Sequence, residues 1–300
     1  QFVPAYAQTL ALKNQPSSVA LSGDGKTMAL AFNGEDAGVV RVFNWQNAAW
    51  VPSALVTGET PMFGDGFGTS VAFSHDGTTL VVGANQENDC AVTQADASVQ
   101  YVKCAADGGP GAPLRHNGSL YVFTLMNGQW RQQARLIRPQ PQNDDIFGTG
   151  VWTSVDGTVA ISAATYADNG AALDVGRVHV FALSGGTWQH ATELRAPVER
   201  ALQRIGSIAA SASGDLVAVG SPADPSNATG VNGDAANTSA PRSGAVLLFS
   251  RDGGSWAPAG YLKPGLTFAE SAFGGSVSMS ADGRTLLVGA PFEAGAGQGV

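Results

Sequence analysis

The stretch Phe67-Gly68-Thr69-Ser70-Val71-Ala72-Phe73-Ser74-His75-Asp76-Gly77 recurs along the chain with its internal spacing kept. It returns as Phe147-Gly148 to Asp156-Gly157, as Ile205-Gly206 to Gly214-Asp215, and as Phe273-Gly274 to Asp282-Gly283. Each corner leads into a short apolar run: Leu80 to Ala84, Val159 to Ala163, Val217 to Ser221 and Leu286 to Ala290. An Asp-Gly pair suits a tight hairpin because both residues tolerate positive φ. Self-similarity on this scale, built from strand-like units, is the signature of a propeller or a solenoid.

Working outward, a third strand opens with Gly at Gly118, Gly176 and Gly244 and closes on Phe123, Phe181 and Phe249. Seven residues past each Phe stands a Trp: Trp130, Trp188 and Trp256. The turn-formers between them, Asn127-Gly128, Gly185-Gly186 and Asp252-Gly253-Gly254, predict a second hairpin. On this reading Phe181 and Trp188 fall opposite each other, an aromatic pair worth about 0.2–1 kcal/mol that pins the register. Leu136, Leu194 and Leu262 take the inward position of the fourth strand. An earlier, worn copy runs from Val19 through Asp24-Gly25, Phe43 and Trp50 to Val56.

Four antiparallel strands per repeat and little helix periodicity predict an all-β chain, a β-propeller of four-stranded blades. The repeats are read at 14–57, 58–137, 138–195, 196–263 and, in part, 264–300, giving about 4.5–5 blades. Residues 1–13 are read as the outer strand of a preceding or closing blade. Pairing of residues 5–12 with the last repeat would mean a five-bladed ring, and an unpaired inner strand at 286–291 a longer propeller. Small Val, Ala and Gly side chains fill the inner strands near the axis. The Phe and Trp of the outer pair fill the wider space between blades.

The 300 residues are 44% hydrophobic and 13% charged, with 39 Gly and 15 Pro, as a turn-dense β fold requires. The formal net charge of −8 and the absence of a basic run argue against nucleic acid as a partner. No apolar run reaches the roughly 20 residues of a membrane helix, so no membrane insertion is expected. Arg131, Arg135 and Arg138 form a small basic cluster, read as a solvated blade edge. Cys90 and Cys104 enclose a short loop with no zinc-type spacing around it. Read as a disulfide, the pair stabilises by about 3 kcal/mol in the chain-entropy model and implies an oxidising compartment.

With these residues laid out, the chain resembles the FG-GAP repeat, the blade motif of the integrin α-chain propeller. The resemblance rests on Phe273-Gly274 with Gly289-Ala290-Pro291, on Val219 to Pro222, on Gly230 to Asp234 followed by Ser243 to Val246, and on Leu262-Lys263. It is closest to the bacterial exported branch and covers residues 10–300. It implies a propeller, commonly seven-bladed, acting outside the cell in adhesion or recognition. FG-GAP blades often hold Ca²⁺ in a loop with several carboxylates, but the corners at Asp76, Asp156 and Asp282 offer one each, too few for calcium. No cofactor is therefore expected. The weak metal candidates are Asp168, Asn169 and Asp174 in the third repeat.

In an up-and-down blade, the connection between strands two and three emerges on the same side as the link between blades. The variable stretches 85–117, 164–175 and 222–243 are thus expected to share one face, opposite the tight turns. Binding residues concentrate on such loops. The expected function is recognition of a protein or glycan through that face, at the cell surface, outside the cell or in the periplasm. No catalytic residue is assigned. His75, His116, His179 and His190 lie in separate contexts without HExxH or GxSxG, and are read as surface or turn residues. Two alternatives stay open: a polysaccharide-active enzyme using axial carboxylates, and a structural spacer of a larger exported protein.

Overall fold

The computed structural model describes residues 14–35, 37–96, 98–104 and 112–293. Among them are 21 strands and no helix. The first sheet is β1 (Ser18–Leu21), β2 (Thr27–Phe32), β3 (Val39–Gln46) and β4 (Ala49–Val56), antiparallel and in chain order. The second holds β5 (Phe67–Phe73), β6 (Thr79–Ala84), β10 (Ser119–Met126) and β11 (Gln129–Leu136). The third holds β12 (Phe147–Thr153), β13 (Val159–Ala164), β14 (Arg177–Ser184) and β15 (Thr187–Leu194). The fourth holds β16 (Ile208–Ala210), β17 (Leu216–Ser221), β18 (Ala245–Asp252) and β19 (Ser255–Leu262). A fifth begins with β20 (Ser276–Met279) paired to β21 (Leu286–Gly289).

Side chains alternate across a strand, so each inner strand feeds two layers of core. Leu80, Val82 and Ala84 of β6 pack with Ala29, Ala31, Val40 and Val42 of the first sheet. Val81 points the other way, into a layer with Phe147 and Ala160 of the third. On β13, Ala160 and Ala164 look back at the second sheet, while Ile161 and Ala163 meet Val217 and Val219 of the fourth. Strands buried on both faces read as unbroken apolar runs, which is how β6 and β13 stand out in the sequence.

Successive sheets are stapled at both ends. At the tight-turn end, the Gly23 N–H donates to His75 O, His75 to Val155, Val155 to Ala212 and Ala212 to Ala281, at 2.8–3.0 Å. One bond thus passes from each inner hairpin to the next. At the other end, from the third sheet onward, the link before a sheet bonds to the connection within the preceding one. Asp144, Ile146 and Phe147 donate to Arg115, His116 and Asn117, and Glu270, Ala272 and Phe273 donate to Pro241, Arg242 and Ser243. Leu202 and Arg204 donate in the same way to Leu173 and Asp174. The fold is therefore all-β and propeller-like, with its long connections gathered on one rim as expected. Among the described residues, no backbone bond carries the turn-end series from Ala281 back to Gly23.

Three details depart from the sequence reading. Trp188 lies opposite Leu183, and Phe181 opposite His190. Trp130 likewise faces Leu125, and Trp256 faces Arg251. A two-residue turn fixes this pairing, and a bulge just before each Phe shifts the register again. In the fourth sheet Leu262 is only half-buried, and Tyr261 takes the inward place. The stretch 85–117 contains a small sheet of its own, β7 (Asp89–Thr93), β8 (Val99–Lys103) and β9 (Ala112–Leu114), in the order β8-β7-β9. The expected pairing of residues 5–12 lies outside the described residues. The second edge of β21 meets no strand among those described.

Candidate functional site

Each connection between the second and third strands closes at a neck of one geometry. The Gly that opens the third strand donates its N–H to a carbonyl three residues past the second strand. The pairs are Gly38 to Glu35, Gly118 to Glu87, Gly176 to Ala167 and Gly244 to Asp224, at 2.7–3.1 Å. Between the paired residues the chain runs through 36–37, 88–117, 168–175 and 225–243. The neck is therefore indifferent to what it closes, as expected when closure entropy grows slowly with length. Gly118 and Gly244 have φ of 77° and 82°, and a Cβ on either would collide with the carbonyl oxygen of Phe147 or Phe273. Only Gly fits both the conformation and the approach.

In the first, second and fourth sheets the neck residue is an acid. Glu35 forms a half-exposed pair with Arg41 at 2.6 Å. Glu87 is fully buried and meets Lys103 at 2.6 Å, Arg135 at 3.3 Å, the Tyr121 hydroxyl at 2.7 Å, and Ser119. Its neighbour Asp89 pairs with Arg135 and exchanges two hydrogen bonds with Asn117. Asp65, on the link before the second sheet, accepts from Lys103 at 2.7 Å. Three carboxylates thus share two cations. Burial pulls the Glu87 carboxyl up, but Arg135 and Lys103 outweigh it and hold it below its ordinary value. For Asp65 burial wins over Lys103 and the value is raised. The disulfide between Cys90 and Cys104, Cα atoms 5.0 Å apart, flanks both Asp89 and Lys103 and fixes the insertion over this cluster.

In the fourth sheet the same position holds Asp224. It accepts from the Tyr261 hydroxyl at 2.7 Å and faces the fully buried Lys263 at 3.4 Å. Lys263 also donates to Ser243 Oγ at 2.7 Å and Gly244 O at 2.6 Å. Burial pulls the Lys263 ammonium below its ordinary value, with Asp224 opposing. The third sheet has Ala167 at the neck. Its buried Arg177 pairs instead with Glu193 at 3.2 Å and Glu199 at 2.9 Å.

Beside two of these necks the rim opens into grooves at repeat-equivalent positions. One, of about 730 Å³, lies between the link Pro61–Asp65 and Gln86, Asn88, Cys104 and His116. Phe63 stands 89% exposed at its edge. The other, of about 440 Å³, lies between the link Arg200–Arg204 and Ala223, Pro225, Pro241 and Arg242. In both, a buried side chain two residues before the next strand's Phe or Ile position caps the link: Asp65 accepts from the Met62 N–H at 2.7 Å, and Gln203 from Arg200 at 3.3 Å. Asp145 does the same for Gln142 while pairing with Arg138. Burial raises its carboxyl despite that arginine.

The residues singled out in the sequence are placed as follows. Asp168, Asn169 and Asp174 share one loop, where local contacts engage them. Asp168 Oδ1 accepts from the Asp174 N–H, Asn169 Oδ1 from Ala171 and Ala172, and Asp174 Oδ2 pairs with Arg204 at 3.0 Å. Of the three arginines read as a solvated edge, only Arg131 is exposed. Arg135 and Arg138 are drawn into the ion pairs with Glu87, Asp89 and Asp145, because each lies on or just past an outer strand whose end reaches a neck. His75, His116 and His190 are exposed, but His179 is 0% exposed, against the surface or turn reading. Facing away from Val178 and Val180 places it in the layer shared with the second sheet: its Nδ1 is 3.1 Å from His190 Nε2, and its ring stands edge-on to Phe147. Burial, then the charges of Arg138 and neighbouring groups, push its pKa well down. The neck acids, the link caps and the arginines of the second groove were missed in the sequence. A constant step would have found the first two: Glu87 and Asp224 each lie four residues past Gly83 and Gly220, and Asp65 and Asp145 two before Phe67 and Phe147.

No family model matches the chain, and no curated protein matches it. Solved structures do. A functionally unknown protein from Desulfotomaculum acetoxidans is similar with a TM-score of 0.52 and 11% identity, over 93% of this chain and 64% of that one. TolB from Acinetobacter baumannii gives 0.44 and 14%, over 90% and 47%. Kuenenia stuttgartiensis hydrazine synthase gives 0.45 and 14%, over 93% and 84%. The chain thus spans 64% of the length of the first of these, and at 11% identity that likeness concerns the fold alone.

Proposed function

We propose that this chain is an FG-GAP-type propeller segment, part of a larger, seven-bladed ring, that recognises a protein or glycan outside the cell or at its surface. The binding face is the rim carrying the long connections. The observation that carries this reading is the neck: a constant closure that lets each blade present a connection of its own length and chemistry on a rigid frame. The grooves beside the second and fourth necks, and Phe63 held out at the edge of one, give that rim concave and apolar surface. The disulfide suits an oxidising compartment. The carboxylates Glu87, Asp89 and Asp224 are engaged in ion pairs that hold the connections in place, which favours recognition over carboxylate catalysis.

The test is a screen of the labelled protein against glycan and protein arrays. Binding that is lost in Phe63→Ala or Leu202→Ser, and kept in Val155→Ser on the tight-turn side, is the expected result. Absence of any ligand, or binding that depends on Val155 and not on the rim, would overturn the reading and favour a spacer.

A further inference from the structure

The two equivalent grooves differ in charge. Met62 of the first corresponds to Arg200 of the second, Gly66 beside the first to Arg204, and His116 to Arg242. The second groove is thus lined by three guanidinium groups and no carboxylate, on a chain whose net charge is −8. Arg242 pairs with Glu270 through Nε at 3.0 Å, with both side chains more than half exposed. Arg204 lies over the Tyr166 ring at 5.0 Å and gives Nε and Nη2 to a single Asp174 oxygen. Arg200 has no carboxylate partner among the described residues. Its Nη2 donates to Ala235 O, and its Nη1 is buried without a hydrogen bond. Each guanidinium carries five donors, so the pairs formed by Arg204 and Arg242 leave donors over, and open ion pairs of this kind exchange at little cost. The remaining lining is aliphatic: Leu202, 53% exposed, with Ala201, Ala223, Pro225 and Pro241.

We infer that this groove binds an acidic peptide segment, a carboxylate side chain taken by the half-exposed Arg204 and the exposed Arg242 with an aliphatic neighbour laid against Leu202 and the two prolines, while Arg200 adds positive charge from beneath. The inference rests on the recognition reading above and names the partner class for one of its grooves. Planar guanidinium groups match carboxylates in geometry as well as charge. The aliphatic walls suit a peptide side chain, whereas the exposed ring of Phe63 belongs to the other groove.

The experiment is fluorescence anisotropy of the whole chain with a fluorescein-labelled peptide of alternating Glu and Leu. A Lys-Leu peptide serves as control and polygalacturonate as competitor. The Glu-Leu peptide should bind and the Lys-Leu peptide should not. Arg242→Gln, an exposed change that leaves the fold alone, should weaken binding about tenfold, and Arg204→Gln with it by more. Raising salt from about 50 mM to about 300 mM should weaken it further, and Phe63→Ala should leave it unchanged. No binding, binding insensitive to Arg242, or binding of polygalacturonate in place of the peptide would each overturn the inference. Array ligands lost in Phe63→Ala but indifferent to the arginines would leave the recognition reading standing while this one falls.

Discussion

The second and fourth sheets close their long connections with the same backbone bond and place an acid at the same point, yet they neutralise it from different directions. Glu87 draws one cation, Arg135, from the outer strand of its own sheet and another, Lys103, from inside the insertion. Asp224 takes Lys263 from just past the outer strand. The third sheet dispenses with the acid altogether and keeps the bond. What repeats, then, is main-chain geometry. The side chains around it are local solutions to the burial of whatever charge each copy carries.

The largest effects should come from stranding those charges. Glu87→Gln leaves Arg135 and Lys103 short of a partner, and Asp224→Asn leaves the fully buried Lys263 without a carboxylate. Each should cost about 3–5 kcal/mol in denaturant unfolding. Glu35→Gln, at a half-exposed pair, should cost under about 1 kcal/mol. Equal losses at all three would break the distinction between a common neck and local neutralisation.

Next come the neck glycines. Gly118→Ala and Gly244→Ala should each lose about 3 kcal/mol, from positive φ and from collision with a carbonyl that cannot move aside. Gly128→Ala, also at positive φ but in open space, should lose only about 1 kcal/mol. If Gly118 tolerates Ala as well as Gly128 does, the neck is not the fixed element.

Reduction of the Cys90–Cys104 bond should remove about 3 kcal/mol from the insertion alone. Limited proteolysis read by mass spectrometry should then show new cleavage within residues 91–103 and none within 225–243. Cleavage appearing in both would mean that the two insertions share one support.

The smallest effect is on acidity. The buried His179 has a folded pKa well below its unfolded value of about 6.5. The unfolded chain therefore binds its proton first, and the His179 contribution is present above about pH 6.5 and fades as the pH falls. Unfolding free energy should drop between pH 7 and 5 by up to about 1.4 kcal/mol per unit for this group, and His179→Gln should flatten that slope. Asp65 and Asp145, raised by burial, act with the opposite sign, favouring the fold as pH falls through their folded values.

The blades were legible because alternation and turn chemistry are local. Leu80 to Ala84 and the Asp76-Gly77 corner declare themselves within a dozen residues. The order of the sheets and the common rim followed from an up-and-down topology applied to those units. The Phe–Trp pairing departs from the sequence reading because the two-residue turns Asn127-Gly128, Gly185-Gly186 and Gly253-Gly254 set each Trp opposite the residue two past the Phe, and the further slip at the bulge beside each Phe has no side-chain signature. Nor was the small sheet at β7 to β9 legible: its strands are short, with charges in β7 and β8 and a proline in β9, and sit among Asn, Asp and Gly. The ion pairs were hidden for a different reason. Arg135 and Glu87 are 48 residues apart, and only the antiparallel return of β11 brings them together. The basic groove is likewise assembled from a link and an insertion that a linear reading keeps apart.

The bond from Gly118 to Glu87 turns that stretch of the rim into a socket. Its two contacts stay at one separation whatever is plugged between them. A reporter domain spliced there in place of the native segment would have to bring its own cation to Glu87, because Lys103 comes from that segment. With the same fitting at Gly38, Gly176 and Gly244, one chain could carry several cargoes side by side, all facing one way.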